Sequence, residues 1–521
     1  MKDSSDHNPE PELEDYVASK TETEPASGRN YMDSNIQENC EINLEDSNSE
    51  KAEQELLDCI LLLTSEGDSN ILNLESPSKE EEESENETNA AEPLYEGAQI
   101  SLHDSYVAIL TFYLSFKLTG VSLQALLHLI SLHLPKVTIF KKSIEFFKNY
   151  FSYMQGEKEF EYYCSVCFKK LLNSTKCKDC KNGKVCCLVK LSLIQQLCTL
   201  LKRKGFWRLL QFPKYCGLVS AFSDVTDGQL YQDLLKIGLL GNGDTITFQW
   251  YTDGAALYSS SSTSVWPLYL NINELPYVER YKKDNLLVPA IWVGPVKPPG
   301  SLLVSAVYPD LNLLQSGVNF EVDGKENINL KGIVICGTGD TPGRSIMLNI
   351  VQFNGASSCQ VCEDEGEPRF MCPGVRLFPY QPTDTLIPRT LEKMEAYGKQ
   401  GTEENPCVGV KGPCALSKVM PDFLTGTGID SMHQLFGGVT KKITSKFLST
   451  KGADKKFSVA EHYKLLDERL MSIKPPAHVP RAPRPLKEVM SWKMNELKAW
   501  LLDYSIPVLY NVLPNEYFLP H

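Results

Sequence analysis

The chain has 521 residues, room for two or three domains, with 16 cysteines and a formal net charge of −14. That charge is divided: residues 1–96 hold 28 Asp and Glu against 5 Lys and Arg, and the rest hold 38 against 47, so a modestly basic body that permits a polyanionic partner follows an acidic leader. The opening MKDSSDHNPEPE reads as no secretory signal, and no apolar run reaches the roughly 18 residues a membrane span needs, which points to a soluble protein in a reducing compartment.

Residues 1–96 are rich in Glu, Ser and Asn and poor in aromatics, so they are expected to be disordered. Within them LLDCILLL, Leu56 to Leu63, offers a helical turn or two, with or without a partner. Residues 97–160 read as a small helical region, because SLHDSYVAILTFYLSFKLTG and VSLQALLHLISLHLP space apolar residues by three and four up to Pro135. In residues 161–187, Cys164-x-x-Cys167 and Cys177-x-x-Cys180 stand nine residues apart. Two such knuckles aim four soft thiolates at one centre, which predicts a zinc ribbon holding structural Zn²⁺; free thiols are the plainer alternative. Residues 188–240 return to a basic helical pattern. There Lys202, Arg203, Lys204 and Arg208 interleave with Phe206 and Trp207, a pattern that suits phosphates and bases or, more plainly, a solvated helix face.

From residue 241 strands are expected. TITFQWYTDGA ends on Asp253-Gly254, which is a carboxylate at a strand end or simply a turn. SVWPLYLNINEL and NLLVPAIWVGP complete a three-strand meander, LLVSAVYPDLNLLQSG is helical in part, and INLKGIVICGTGD is an apolar strand ending on Asp340. Thr341-Pro342 then suits a helix start. An insertion at about 355–485 follows, with Cys359-x-x-Cys362, Cys372, and Asp430 and His433 at i, i+3 on one helix face. A last helix is predicted from about Lys487 to Tyr504, ending before Pro507 and carrying Glu496. Two strand-end aspartates and a helix glutamate are hard oxygen ligands, and they repel one another unless divalent cations join them. A strand–strand–strand–helix order with Asp on the first strand, Asp after the fourth and Glu on a later helix is what an RNase H-like core would supply, so the fold class expected is α/β: an RNase H-like mixed sheet over 241–521 with flanking helices and a large insertion.

YTDGAALYSSSSTSVWPLYLNINELP, NLLVPAIWVGPVKP, GTGDTPGRSIMLNIVQFNGASSCQVC, VGVKGPCALSKV, IDSMHQLFGGVTKK and MNELKAWLLDYSIPVL, taken together and in order, resemble transposases of the CACTA (En/Spm) type, especially their animal relatives. The resemblance covers about four-fifths of the chain; Gly343, where the family usually has Ala before the arginine, departs from it. It implies a DDE triad of Asp253, Asp340 and Glu496 holding two Mg²⁺ or Mn²⁺ ions for hydrolytic nicking and strand transfer at element ends. It also implies a second zinc held by Cys359, Cys362 and His433, with Cys372 a candidate fourth ligand. Double-stranded DNA is then the partner, the nucleus the location and a homo-oligomer the assembly to test for, with no membrane involved. The alternative left open is a host-adopted, transposase-derived protein that binds DNA through the zinc ribbon and the basic segment without cutting it.

Overall fold

The computed structural model describes residues 92–116, 118–151, 156–172, 175–211, 224–240, 243–257, 262–323, 325–369, 374–382, 385–450, 455–477, 479 and 481–518. The expectations for the leader before Glu92, for Leu56 to Leu63 and for Cys372 lie outside the described residues.

Ser101, Thr119 and Ser143 each accept a backbone N–H from the turn that follows, starting helices α1 (Leu102–Ser115), α2 (Gly120–His133) and α3 (Ile144–Tyr150). The three close on Tyr106, which is fully buried and donates its hydroxyl to the Lys141 carbonyl at 2.9 Å. The cysteine-bearing segment comes next as β1 (Lys158–Cys164), β2 (Lys170–Leu171) and β3 (Val185–Leu191). β3 pairs with β1 along its whole length, and its other edge pairs with a strand of the main sheet, Leu188 opposite Trp292. The cysteine hairpin is therefore one edge of a larger sheet, and the helix expected from residue 188 begins only at α4 (Leu193–Leu201). The basic segment is split at Gly205, whose φ of 77° is left-handed, before α5 (Phe206–Leu210); α6 (Gln229–Lys236) follows.

β4 (Thr245–Thr252) alternates as its sequence predicts: Ile246, Phe248 and Trp250 enter the core, and Thr247, Gln249 and Tyr251 face the other way. β5 (Ala255–Ala256), β6 (Ser264–Ile272) and β7 (Leu287–Gly294) complete the antiparallel meander. α7 (Gly300–Ser316) covers its apolar face, and the chain returns through β8 (Val318–Val322) into the long β9 (Lys325–Gly339), parallel to β4. The β4–β9 contact is close: a Cβ on Gly337 would lie 2.1 Å from the Trp250 indole. α8 (Thr341–Leu348) follows at once, ending on Asn349 in the left-handed region. After a two-stranded ribbon of β10 (Glu367–Pro368) and β11 (Arg376–Leu377), then α9 (Leu391–Gln400), β12 (Thr427–Ile429) adds parallel to the free edge of β9. The sheet of described strands runs β12-β9-β4-β6-β7-β3-β1-β2, a mixed sheet flanked by helices.

Beyond β12 the chain builds a second core. A π-helical stretch, α10 (Met432–Thr440), runs into α11 (Lys441–Leu448); α12 (Tyr463–Ser472) and α13 (Met494–Ala499) pack with it around Leu466, Leu470, Leu497 and Trp500. The single helix expected over 487–504 is broken. A 3₁₀ stretch, Leu486–Ser491, stops at extended Trp492, and α13 widens into a π turn at Trp500–Tyr504. The helical path then runs on from this π turn through Pro507 to Leu509, past the end expected before the proline. No helix among the described residues is long and apolar enough to cross a membrane.

Candidate functional site

β4, β9 and β12 are neighbouring parallel strands, and their last residues stand in register: Thr252 opposite Gly339, and Gly339 opposite Ile429. The next residue in each case is an aspartate, Asp253, Asp340 and Asp430. Side-by-side carboxyl ends of parallel strands are where open α/β sheets place ligands. Gly254 lets β4 end there, since a Cβ on it would lie 2.3 Å from the Trp266 ring.

Each aspartate is held differently. Asp340 is the N-cap of α8, accepting the Gly343 N–H at 2.6 Å. Asp430 accepts the Met432 N–H at 2.8 Å through Oδ1, while its Oδ2 meets Nδ1 of His433. Asp253 is reached by water, and its carboxyl is raised by partial burial first and then by the charge of Asp340; the Gly254 N–H and His433 oppose this, and Asp430 adds to it. His433 is raised: burial works against its charge, but the Asp430 bond and the charges of Asp430, Asp253 and Asp340 outweigh it. One cation lies beneath. Arg344 is buried and pulled down by that burial, while Asp430, Asp340 and Cys359 act to keep it charged; its Nε has no partner. The structure thus brings together Asp253, Asp340, Asp430 and His433.

Glu496 is taken up elsewhere. As the third residue of α13 it accepts the Lys493 N–H at 2.6 Å and the Arg484 guanidinium at 3.3 Å. It lines a cavity of about 120 Å³ in the C-terminal core with Arg481, Arg484 and Tyr504. Glu496 thus has partners of its own in the C-terminal core, and Asp430 is the acid that stands beside the two aspartates.

Cys164, Cys167, Cys177 and Cys180 bring their sulfurs within 4.8 Å of one another. Tetrahedral zinc with bonds of about 2.3 Å sets sulfurs about 3.8 Å apart, and Cys167 and Cys177 stand at 3.8 Å. The donor set fits a metal ion such as zinc. Gly183 keeps the centre compact, since a Cβ there would lie 2.5 Å from the Cys164 sulfur. Burial opposes the Cys164 thiolate, but the N–H groups of Cys167 and Val166 outweigh it and bring the thiol to about 7, whereas hydrogen bonding to Cys167 first, then burial, pushes Cys180 up to about 12.

Cys359 and Cys362 lie close to each other, but His433 is turned to the aspartates, and no set of three or more metal-ligating groups forms around the pair among the described residues. The knuckle is held by an arginine. Buried Arg389 donates to the carbonyls of Cys359 at 2.7 Å, Cys362 at 3.1 Å, Ser357 at 2.6 Å and Val408 at 2.9 Å. Gln360, inside the knuckle, accepts from Arg344 and donates to the Thr427 carbonyl at 2.8 Å, tying this loop to β12 beside the aspartates. Of the basic segment, Lys202 pairs with Glu321 at 3.0 Å and Arg203 donates to the Asp284 carbonyl at 2.6 Å; Lys204 and Arg208 are exposed, and Phe206 is core. A scan against models of known protein families finds none that matches the chain, and a search of curated proteins finds no match either.

Proposed function

We propose that the chain is a metal-dependent phosphodiester-cleaving protein of DDE-transposase type, with Asp253 and Asp340 at its centre and Asp430 as the third carboxylate. The observation that carries this reading is the register of three aspartates across three adjacent parallel strands. Among the longer strands, β4, β6 and β7, then α7, then β9, with an aspartate after β4 and after β9, follow the order an RNase H-like core would supply, with β5 and β8 as short additions. The donors suit hard divalent cations such as Mg²⁺ or Mn²⁺, since all are carboxylate oxygens and their mutual repulsion already disfavours the Asp253 anion. The three do not all lie within 4.8 Å of one another; a pair of ions roughly 3.5–4 Å apart does not ask this of them, because ligands on opposite ions stand farther apart than ligands on one. Bound there, such ions would activate water or a 3′-hydroxyl and stabilise the leaving oxygen. The chain's own part is to fix the strand ends, orient Asp430 through His433 and hold Arg344 beneath them. Zinc at the four cysteines stiffens the far edge of the same sheet, and the DNA substrate implies the nucleus.

The test is nicking of supercoiled plasmid by the full chain with Mg²⁺ or Mn²⁺. Cutting that is lost in Asp253→Asn, Asp340→Asn and Asp430→Asn and kept in Glu496→Gln supports the reading. Cutting unchanged by all three aspartate substitutions sinks it. Salt-sensitive duplex binding without cutting would leave the non-cutting, transposase-derived alternative.

A further inference from the structure

Beside Asp253 the sheet carries a row of tyrosines. Tyr251 lies on β4 two residues before Asp253, on the strand face it shares with Thr247 and Gln249. Across the β4–β6 ladder Tyr251 stacks on Tyr269, ring centres 4.5 Å apart at 22°. Tyr269 is near enough to Asp253 for that charge to act on its phenol, and Tyr251 is likewise within electrostatic reach of Tyr281. Tyr281 meets the edge of Tyr277 at 5.2 Å. The inner pair is half-buried, while Tyr277 is 67% and Tyr281 50% exposed. The outer pair lies in YVERYKKD, residues 277–284, where Lys282 and Lys283 are exposed beside it.

We propose that Tyr269, Tyr251, Tyr281 and Tyr277 form a stacking platform for unpaired bases of the DNA strand whose backbone enters the aspartate cluster, an inference that rests on the phosphodiester-cleaving reading. Aromatic faces accept any base, but only when the base is out of the duplex stack, and nearby cations follow the phosphates. Lys283, with Lys282 beside it in its ion pair to Glu279, supplies that charge at the exposed end of the row, and the aspartates lie at the other. An apolar peptide is the poorer fit. Around Tyr277 and Tyr281 the only exposed aliphatic neighbour in the segment is Val278; the rest are Lys282, Lys283, Asp284 and the partly exposed Glu279, which pairs with Lys282 at 2.7 Å. A protein-binding groove asks for aliphatic anchors, not phenols set among charges.

Binding is measured with the full chain in EDTA, so that no cutting occurs, on a single-stranded oligonucleotide carrying a fluorescent base analogue. The Tyr277→Ala/Tyr281→Ala pair is expected to bind roughly 5- to 150-fold more weakly for each stack lost and to lose the quenching of the analogue. Tyr277→Phe/Tyr281→Phe keeps both rings and should bind as the native chain does. Both rings are surface groups, and an unchanged unfolding midpoint checks that the fold survives. Native-like affinity and quenching in the alanine pair overturn the platform, as does a phenylalanine pair that falls as far as the alanine pair. Neither result depends on cleavage. A chain that stacks bases but never nicks plasmid retains the platform and loses the nuclease reading, and one that nicks through Asp253 without stacking does the reverse.

Discussion

Glu274 fixes the beginning of the strand whose far end is Asp253. One carboxylate oxygen accepts the Thr247 N–H at 2.8 Å; the other accepts the hydroxyls of Thr247 at 2.8 Å and Tyr231 at 3.2 Å. Burial pushes its carboxyl from 4.5 up to about 7, although the N–H and hydroxyl of Thr247 and the Tyr231 hydroxyl pull it down. At about 1.4 kcal/mol per pH unit this displacement is worth about 3 kcal/mol. The folded chain holds the proton more tightly than the unfolded one. The contribution is therefore complete below pH 4.5 and is lost as pH rises through about 7, when a charge must exist inside the core. In Glu274→Gln the side chain stays neutral; its carbonyl can keep the Thr247 N–H, and the two hydroxyls can turn to accept from the amide. Equilibrium unfolding by guanidinium, read at pH 5 and pH 8 on both proteins, isolates this one group, because every other titration is common to the pair. Between those values the native chain should lose about 2.5 kcal/mol relative to Glu274→Gln. If the difference between the two proteins is the same at both pH values, the carboxyl is not held as described.

Glu161 should show the opposite slope. It is nearly enclosed, and although burial raises it, the lysines Lys170 at 2.5 Å and Lys190 at 2.7 Å, with the Tyr163 hydroxyl, bring it from 4.5 down to about 2. Its contribution is thus present above pH 4.5 and lost as pH falls towards 2, and Glu161→Gln should flatten that acid loss in unfolding curves taken down the same range. For the four cysteines, a thiol-blocking reagent should release zinc from the native chain, detected by a chromogenic chelator, and Cys164→Ser or Cys177→Ser should release none. If the Ser variants still release it, the metal is held elsewhere.

Asp253 and Asp340 were legible because their signals are local: a β-forming run that stops at Asp-Gly, and an apolar strand whose Asp is followed by Thr-Pro at a helix start. Asp430 was visible only as the neighbour of His433. β12 is three residues long, Thr427–Ile429, too short to show a period, so nothing in the sequence marks Asp430 as a third strand end. LVKL, residues 188–191, reads as the start of the following helix because a short apolar run fits a buried strand and a helix equally well; only the pairing of its strand to both β1 and β7 decides. Glu496 did carry a local signal of another kind. A glutamate at the third position of a helix reaches back to the N–H that precedes it, and this one does so to Lys493. Arg389 gave no signal, since the carbonyls it gathers are 19 to 32 residues away in sequence.

Charge balance bears on why Asp430, and not Glu496, stands beside Asp253 and Asp340. At the carboxyl ends of β4, β9 and β12 three aspartates face one buried guanidinium, Arg344, and one imidazole, His433. Arg344 is felt by Asp340 and Asp430, while at Asp253 partial burial and the charges of Asp340 and Asp430 outweigh the Gly254 N–H and His433. A fourth carboxylate would deepen that excess and would have to leave a place where its own charge is met. Arg484 is shared by Glu488 at 2.7 Å and Glu496 at 3.3 Å, so removing Glu496 would take an ion-pair partner from the guanidinium and leave the Lys493 N–H uncapped. Each hydrogen bond to a charged group contributes about 1.5–3 kcal/mol, and moving Glu496 would forfeit at least two of them to join a cluster that already repels it. A divalent cation is the change that reverses this sign, and it would do so first at Asp253, the most exposed of the three aspartates and one whose carboxyl is already raised by its neighbours.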